Sequence, residues 1–172
     1  MARARGARWA AAVLALAGAG CADVSVTTEP DRTERRGRVT RVVDGDTVKL
    51  GGETVRLLGI DTPESRRPQT PVECGSKKAA TALRRLVEGR TVTLVRDPTQ
   101  DATDRFGRTL AYVSVAGKDA GEAMVASGWA KPYVYGDVEF ARAGRYRSAA
   151  ADARARGAGV YGACNGDFHR AA

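Results

Sequence analysis

Four acidic residues that could act together lie in two short stretches of the sequence. Asp44 and Asp46 flank a glycine in VVDGDTVKL, and Asp61 and Glu64 lie at the end of VRLLGIDTPE. The Asp-x-x-Glu spacing of the second pair is that of a helix capping box, but the two prolines of the following SRRPQTP would cost a helix hydrogen bonds. We therefore expect Asp61 and Glu64 to lie where a strand ends and a polar loop begins, a place where functional residues are common.

Asp46 and Asp61 are the pair best suited to hold a cation. Turn chemistry alone explains Asp44, because Asp-Gly is a common turn pair, but it explains Asp46 less well. If the three strands around these residues form a meander, the end of the third can lie near the start of the second, and the two carboxylates could converge. Converging carboxylates repel unless a cation joins them, and ligands that are all oxygen favour Ca²⁺ or Mg²⁺.

Two arginines supply the positive groups that a phosphodiester site also needs. Arg56 begins the hydrophobic run RLLGI, and Arg108 ends the loop DRFGR. Each of them, taken alone, is equally well explained as an ordinary edge or surface residue. Because a guanidinium donates paired hydrogen bonds to phosphate, acids and arginines together indicate phosphodiester chemistry.

The elements that must position these residues follow from hydrophobic periodicity and from turn pairs. We predict strands near residues 37–43, 46–50, 53–60, 91–97 and 108–115. We predict helices over residues 73–89, 119–128 and about 137–156. An α+β domain of five strands with three packed helices is typical of the OB-fold, a closed β-barrel that often binds nucleic acids.

The N-terminus differs in composition from the rest of the chain. The basic MARARGAR is followed by the short hydrophobic run WAAAVLALAGAG, which is typical of a secretory signal and too short for an ordinary membrane span; the alternative is a short buried helix. AGAGC resembles the lipobox of bacterial lipoproteins, which predicts lipidation of Cys21, with cleavage by an ordinary signal peptidase as the alternative. We divide the chain into a signal (1–20), a flexible linker (21–36), an OB-fold domain (37–165) and a C-terminal tail (166–172).

Three cysteines are an odd number for an exported protein. A lipid on Cys21 would leave Cys74 and Cys164 to form one disulfide, in keeping with an oxidising compartment; the alternative is two free buried thiols. The absence of a Cys-x-x-Cys motif and the presence of a single histidine argue against zinc. The net charge of +8 is by itself weak evidence for a nucleic-acid partner.

Four segments together resemble the staphylococcal nuclease (thermonuclease) family: VVDGDTVKL (42–50), VRLLGIDTPE (55–64), DRFGRTLAYV (104–113) and GWAKPYVY (128–135). The resemblance covers residues 37–162. It implies a five-stranded OB barrel with three helices. It also implies Ca²⁺-dependent hydrolysis of DNA and RNA that leaves 3′-phosphates.

The resemblance also implies roles for individual residues. Asp46 and Asp61 would be carboxylate ligands of calcium, and Thr62 would add its backbone carbonyl. Glu64 would be the general base or would orient water. Arg56 and Arg108 would bind the scissile phosphate.

Substrate contacts are implied for a loop and for two aromatic residues. The family's Lys-Tyr-Gly-Arg loop reads Arg105-Phe106-Gly107-Arg108 here, so Arg105 keeps the positive charge while Phe106 lacks a hydroxyl. Tyr133 and Tyr135 match aromatics that flank the nucleotide, with core packing as the alternative. Exported relatives also carry a disulfide that Cys74 and Cys164 resemble.

Two other classes of protein remain as alternatives. A non-catalytic nucleic-acid-binding OB module would lack several of the acids and arginines above, all of which are present. An exported calcium-binding structural domain would explain Asp46 and Asp61 but not Arg56 or Arg108. We expect an exported enzyme, either secreted or anchored by its N-terminal lipid, that acts as a monomer on DNA and RNA.

Overall fold

Five strands close into a barrel in the computed structural model, which describes residues 34–65 and 71–169. They are β1 (Glu34–Val42), β2 (Thr47–Leu50), β3 (Glu53–Leu57), β5 (Thr91–Val95) and β6 (Thr109–Val115). The order is β3-β2-β1-β5-β6, and a parallel pairing of β3 with β6 closes it. Valines and other β-branched residues suit such a surface, and fully buried ones fill the barrel: Val39, Val48, Val55, Val92 and Val113.

Short strands and helices complete the domain. The strands are β4 (Ile60–Asp61), β7 (Lys118–Asp119) and β8 (Lys131–Pro132), and the helices are α1 (Ser76–Val87), α2 (Ala120–Ala126), α3 (Ala143–Ala155) and α4 (Val160–Ala163). The predicted five-stranded OB barrel with packed helices is confirmed, and α4 adds a single turn to the three helices expected. No helix of the described residues is long and apolar enough to cross a membrane.

The predicted strand over 53–60 is two strands. β3 ends at Leu57, and β4 turns away to pair with β8. Gly59 makes the break, because its φ of +78° suits glycine and a Cβ there would lie 2.6 Å from the ring of Phe140. The single-strand prediction was wrong because the hydrophobic run is continuous in sequence and nothing in it marks Gly59 as a turn. The turn packs against Phe140, which lies far along the chain.

Both predicted boundaries of the domain lie inside folded structure. Residues 34–36, assigned to the linker, belong to β1, where Glu34 pairs with Val95. The predicted tail contributes Phe168, only 1% exposed, which packs with Val160 and Cys164. Residues 1–33, including the predicted signal and Cys21, lie outside the described residues, as do residues 170–172.

A disulfide joins Cys74, just before α1, to Cys164, just after α4. The structure thus contains the pairing expected from the sequence. The bond attaches the C-terminal end of the domain to the segment that leads into α1, 90 residues away in sequence.

Candidate active site

Arg56 lies between the two carboxylates predicted to hold a metal. Its Nη1 is 2.6 Å from Asp46 Oδ2, and its Nη2 is 3.7 Å from Asp61 Oδ1. All three side chains are mostly buried. The expected convergence of Asp46 and Asp61 is therefore present, with a guanidinium between them.

Strand register explains this arrangement. Thr47, the first residue of β2, is the cross-strand partner of Arg56 in β3, so the preceding Asp46 lies beside the arginine. The turn that carries Asp46 must approach closely, since a Cβ on Gly45 would lie 2.7 Å from Thr62 Oγ1. Glycine between the two aspartates thus lets the turn pack against the buried Thr62, next to Asp61.

The acids around Arg56 carry more negative charge than the arginine can balance. Burial, and then the charge of Asp46, raise the pKa of Asp61, although Arg56 and His169 act in the opposite direction. Burial and the same Asp46 raise the pKa of Asp44 to about 7. A bound cation would relieve this repulsion.

The donor set fits a hard cation in chemistry and charge. Asp46 and Asp61 supply carboxylate oxygens, and Thr62, whose carbonyl the resemblance assigns to the metal, follows directly in the chain; oxygen ligands of this kind suit Ca²⁺. Within residues 34–65 and 71–169, no group of three or more His, Cys, Asp or Glu side chains is placed to hold a metal. An ion there would need the carbonyl and water as well as the two carboxylates.

Arg108 is fixed by the loop in front of β6. Its Nε and Nη2 both lie 2.7 Å from Asp104 Oδ2, and its Nη1 donates to Thr47 Oγ1 at 3.4 Å. Asp104 Oδ1 in turn accepts the backbone N–H groups of Phe106 and Arg108. Because Thr47 also donates to Asp46 Oδ1 at 2.7 Å, one hydroxyl connects the environments of the two arginines.

Glu64 lies in the loop after β4, outside regular secondary structure. Its backbone N–H donates to Glu73 Oε2 at 2.7 Å, and its carbonyl accepts from Glu73 N at 3.0 Å. Its Oε1 accepts the backbone N–H of Ser65 at 3.1 Å. Glu73 thus hydrogen-bonds to both the N–H and the carbonyl of Glu64. The Glu64 carboxylate itself stays within the loop, where it accepts the Ser65 N–H.

A cleft of about 710 Å³ brings most of these residues together. The predicted site residues that line it are Arg56, Asp61, Arg105, Arg108, Tyr133 and Tyr135. Tyr133 and Tyr135 are 44% and 68% exposed, so core packing does not account for them. The guanidinium of Arg105 lies 4.8 Å from the centre of the exposed Phe106 ring.

Sequence reasoning assigned no role to Asp104, Thr47, Glu73 or His169, which contact the site residues. Asp104 could have been found, because the Asp-x-x-Gly-Arg spacing lets its carboxylate accept the N–H groups of the turn. His169 also lines the cleft, and its Nε2 lies 3.9 Å from Asp61 Oδ2. No local pattern connects His169 to the other site residues.

Comparisons with known proteins agree with this geometry. A family model described as staphylococcal nuclease homologue matches residues 54–162. The chain is 35% identical over 106 residues to the thermonuclease of Staphylococcus hyicus, covering 59% of this chain and 62% of that one. It is 42% identical over 79 residues to the thermonuclease of Staphylococcus intermedius, covering 44% and 46%.

A further relative is the endonuclease YncB of Bacillus subtilis, 38% identical over 100 residues, with 55% of this chain and 47% of that one covered. The chain therefore spans less than two thirds of the length of each of these relatives.

Proposed function

The chain belongs to the staphylococcal nuclease family, and from this we propose that it is an exported, Ca²⁺-dependent nuclease that hydrolyses phosphodiester bonds of DNA and RNA and leaves 3′-phosphates. The observation that carries the proposal is the convergence of Arg56, Asp46 and Asp61 beside a cleft that Arg108 also lines. The thermonuclease and endonuclease names of the relatives support the same activity.

Arg56 and Arg108 bind the phosphodiester and stabilise the charge that develops on it. In-line attack places extra negative charge on the equatorial oxygens of phosphorus, and donors fixed in advance stabilise that charge best. Asp46 and Thr47 orient Arg56 and Arg108 respectively, and Asp104 holds Arg108 through two of its nitrogens. The arginines are thereby oriented before substrate arrives.

Glu64 accepts a proton from the attacking water or orients that water. Its carboxylate lies in the loop directly after the strand that carries Asp61, and its backbone is fixed by Glu73. A positioned carboxylate of this kind typically contributes roughly 10²–10⁴-fold to a rate.

Asp46, Asp61 and the carbonyl of Thr62 would hold the calcium ion. When bound, the ion would neutralise part of the negative charge on the phosphate. The charge repulsion between Asp46 and Asp61 supports this assignment, because a cation bound by both carboxylates would relieve it.

Export rests on the N-terminal sequence, and the Cys74–Cys164 disulfide supports it because such bonds persist in oxidising compartments. We place the enzyme outside the cytoplasm, either secreted or anchored through a lipid on Cys21, acting as a monomer. Mass spectrometry of the mature N-terminus tests this: a diacylglyceryl-modified Cys21 supports anchoring, and an unprocessed chain contradicts export.

The decisive experiment digests plasmid DNA and a defined RNA with the purified protein, in Ca²⁺ and in chelator. We expect cleavage of both in Ca²⁺ only, with 3′-phosphate ends identified by end-labelling. Binding without cleavage under every divalent ion would instead indicate a non-catalytic OB module.

A further inference from the structure

The C-terminal segment 164–169 is connected through Glu73 to the loop that carries Glu64. We propose that His169 is a positioning residue for that loop, acting through Glu73, and that this segment is therefore part of the active site. The inference rests on the proposed nuclease function for its catalytic meaning, but the contact that it concerns can be tested without any substrate.

Glu73 connects the two parts of the molecule through its two carboxylate oxygens. Oε2 accepts the backbone N–H of Glu64 at 2.7 Å, and Oε1 lies 3.2 Å from Nδ1 of His169. An ionised carboxylate only accepts hydrogen bonds, so Nδ1 is the donor in the tautomer that carries the proton there. Glu73 is 3% exposed, so water has little access to its carboxylate and a change at one oxygen is felt at the other, while the His169 side chain is 58% exposed.

His169 is held in place by the packing of its own segment. The preceding Phe168 is buried beside Val160 and Cys164, and the disulfide attaches Cys164 to Cys74, the neighbour of Glu73 in the chain. The side chain of Lys131 donates to the carbonyl of Gly166. The histidine therefore approaches Glu73 from a fixed direction, although 96 residues separate the two in sequence.

The same segment is attached to the strand that carries the other site carboxylate. Lys131 is the cross-strand partner of Asp61, and its ammonium lies 4.7 Å from the centre of the Phe168 ring. Nε2 of His169 faces Asp61 Oδ2 at 3.9 Å. The segment thus faces Asp61 directly and is connected to Glu64 through Glu73.

The physical role follows from where Glu64 lies. Residues 62–65 belong to no strand or helix, so the bonds that Glu73 makes with the Glu64 backbone help to set the direction of the Glu64 carboxylate, together with the bond that it accepts from the Ser65 N–H. Removing His169 takes one fixed partner from the Glu73 carboxylate and so weakens its hold on the Glu64 N–H. Misplacement of a catalytic group by about 1 Å can cost up to roughly 10²-fold in rate.

The kinetic test compares His169→Ala, His169→Asn, Glu73→Gln and the double variant His169→Ala/Glu73→Gln on a defined oligonucleotide. We expect His169→Ala to lower kcat about 10-fold, the scale of a lost outer-shell partner, with KM unchanged. Asparagine can place an N–H near the position of Nδ1, so His169→Asn should recover most of the loss. The double variant should be no worse than Glu73→Gln alone, because both changes break the same connection.

Asp167→Asn is the matched control, since it changes charge in the same segment and keeps the oxygen that accepts the His169 backbone N–H; it should retain wild-type kcat. Urea unfolding of every variant checks that the fold persists. A rise in KM at unchanged kcat would make His169 a substrate contact instead and would overturn the positioning role. Additive losses in the double variant would do so too.

Backbone amide exchange of the peptide that contains Glu64 gives a readout independent of catalysis. We expect faster exchange in His169→Ala and in Glu73→Gln than in the wild type or in Asp167→Asn. If the wild type cleaves nothing, the proposed function fails, while the exchange data still decide the contact. Unchanged exchange in His169→Ala would overturn the inference whatever the activity.

Discussion

Arg56 and Asp46 form a mostly buried ion pair, with Nη1 2.6 Å from Oδ2. The pair joins the arginine assigned to phosphate with the carboxylate assigned to calcium. The residues assigned to phosphate and to calcium are therefore paired with each other, so a substitution of Arg56 or of Asp46 affects both binding sites.

The first prediction concerns Arg56. Arg56→Ala should lower kcat at least about 10²-fold, the scale of removing one preorganised donor, and Arg56→Lys should recover little because an ammonium lacks the planar fork. Steady-state cleavage of an oligonucleotide measures this. Arg35→Ala is the control, since Arg35 pairs with Glu53 on the exposed face of the barrel; its activity should match the wild type. Near wild-type turnover of Arg56→Ala would refute the assignment.

The second prediction concerns Glu64. Glu64→Gln keeps the size of the side chain but cannot take a proton, so kcat should fall at least about 10²-fold while the urea midpoint stays unchanged. Glu122→Gln, at an exposed ion pair with Arg145, should leave kcat unaltered. A Glu64→Gln variant with full turnover would remove Glu64 from the mechanism.

The third prediction concerns calcium. Ca²⁺ should raise the melting temperature of the wild type, because a ligand at 100 times its dissociation constant stabilises the fold by about 2.7 kcal/mol. Asp46→Asn and Asp61→Asn should lose most of this shift and should need more Ca²⁺ for cleavage. Asp152→Asn, on the exposed face of α3, should keep both. An equal Ca²⁺-induced shift in all variants, measured by scanning calorimetry, would place the ion elsewhere.

The features of the fold and site that could be predicted from the sequence are those that depend on contacts between neighbouring segments of the chain. The turn at Gly45 and the pairing of β2 with β3 involve neighbouring segments, so the approach of Asp46 to Asp61 followed from the chain order. The break at Gly59 depends on Phe140, and the environment of Glu64 depends on His169; both partners lie far away in sequence. Tertiary contacts of this kind leave no periodic or spacing signal, which is why His169 was missed. Glu73 is only nine residues from Glu64, but it was predicted to begin a helix that in fact begins at Ser76.

The fourth prediction concerns the disulfide. The chain-entropy model assigns about 4–5 kcal/mol to a loop of this length, and removal of a native disulfide typically costs about 2–5 kcal/mol. Cys74→Ser/Cys164→Ser should therefore lower the free energy of unfolding by that order, measured by urea denaturation. Reductant should destabilise the wild type similarly and leave the double variant unchanged. Equal stability of the two proteins under oxidising conditions would mean that the bond does not form in solution.

The last prediction concerns Asp97, a buried acid that hydrogen-bonds to Tyr112 and Ala141, to which no role in the active site is assigned. Burial acts to raise its pKa, but hydrogen bonds from Tyr112, Ala141 and Thr99 together outweigh burial and hold the pKa below its usual range. These bonds join the end of β5 to β6 and to the loop before α3.

The sign of the pH effect follows from this lowered pKa. Ionised Asp97 contributes stability that is fully present above the ordinary carboxyl pKa of about 3.9 and is lost as pH falls through the lower folded-state value. Asp97→Asn should therefore be less stable than the wild type by about 1–3 kcal/mol at pH 7, because the NH₂ group of the amide would face donors that now meet a carboxylate oxygen. The difference should shrink below about pH 4. Urea unfolding from pH 7 to pH 3 measures it, with Asp152→Asn as the exposed control. A difference that stays constant with pH would show that ionised Asp97 is not what joins these elements.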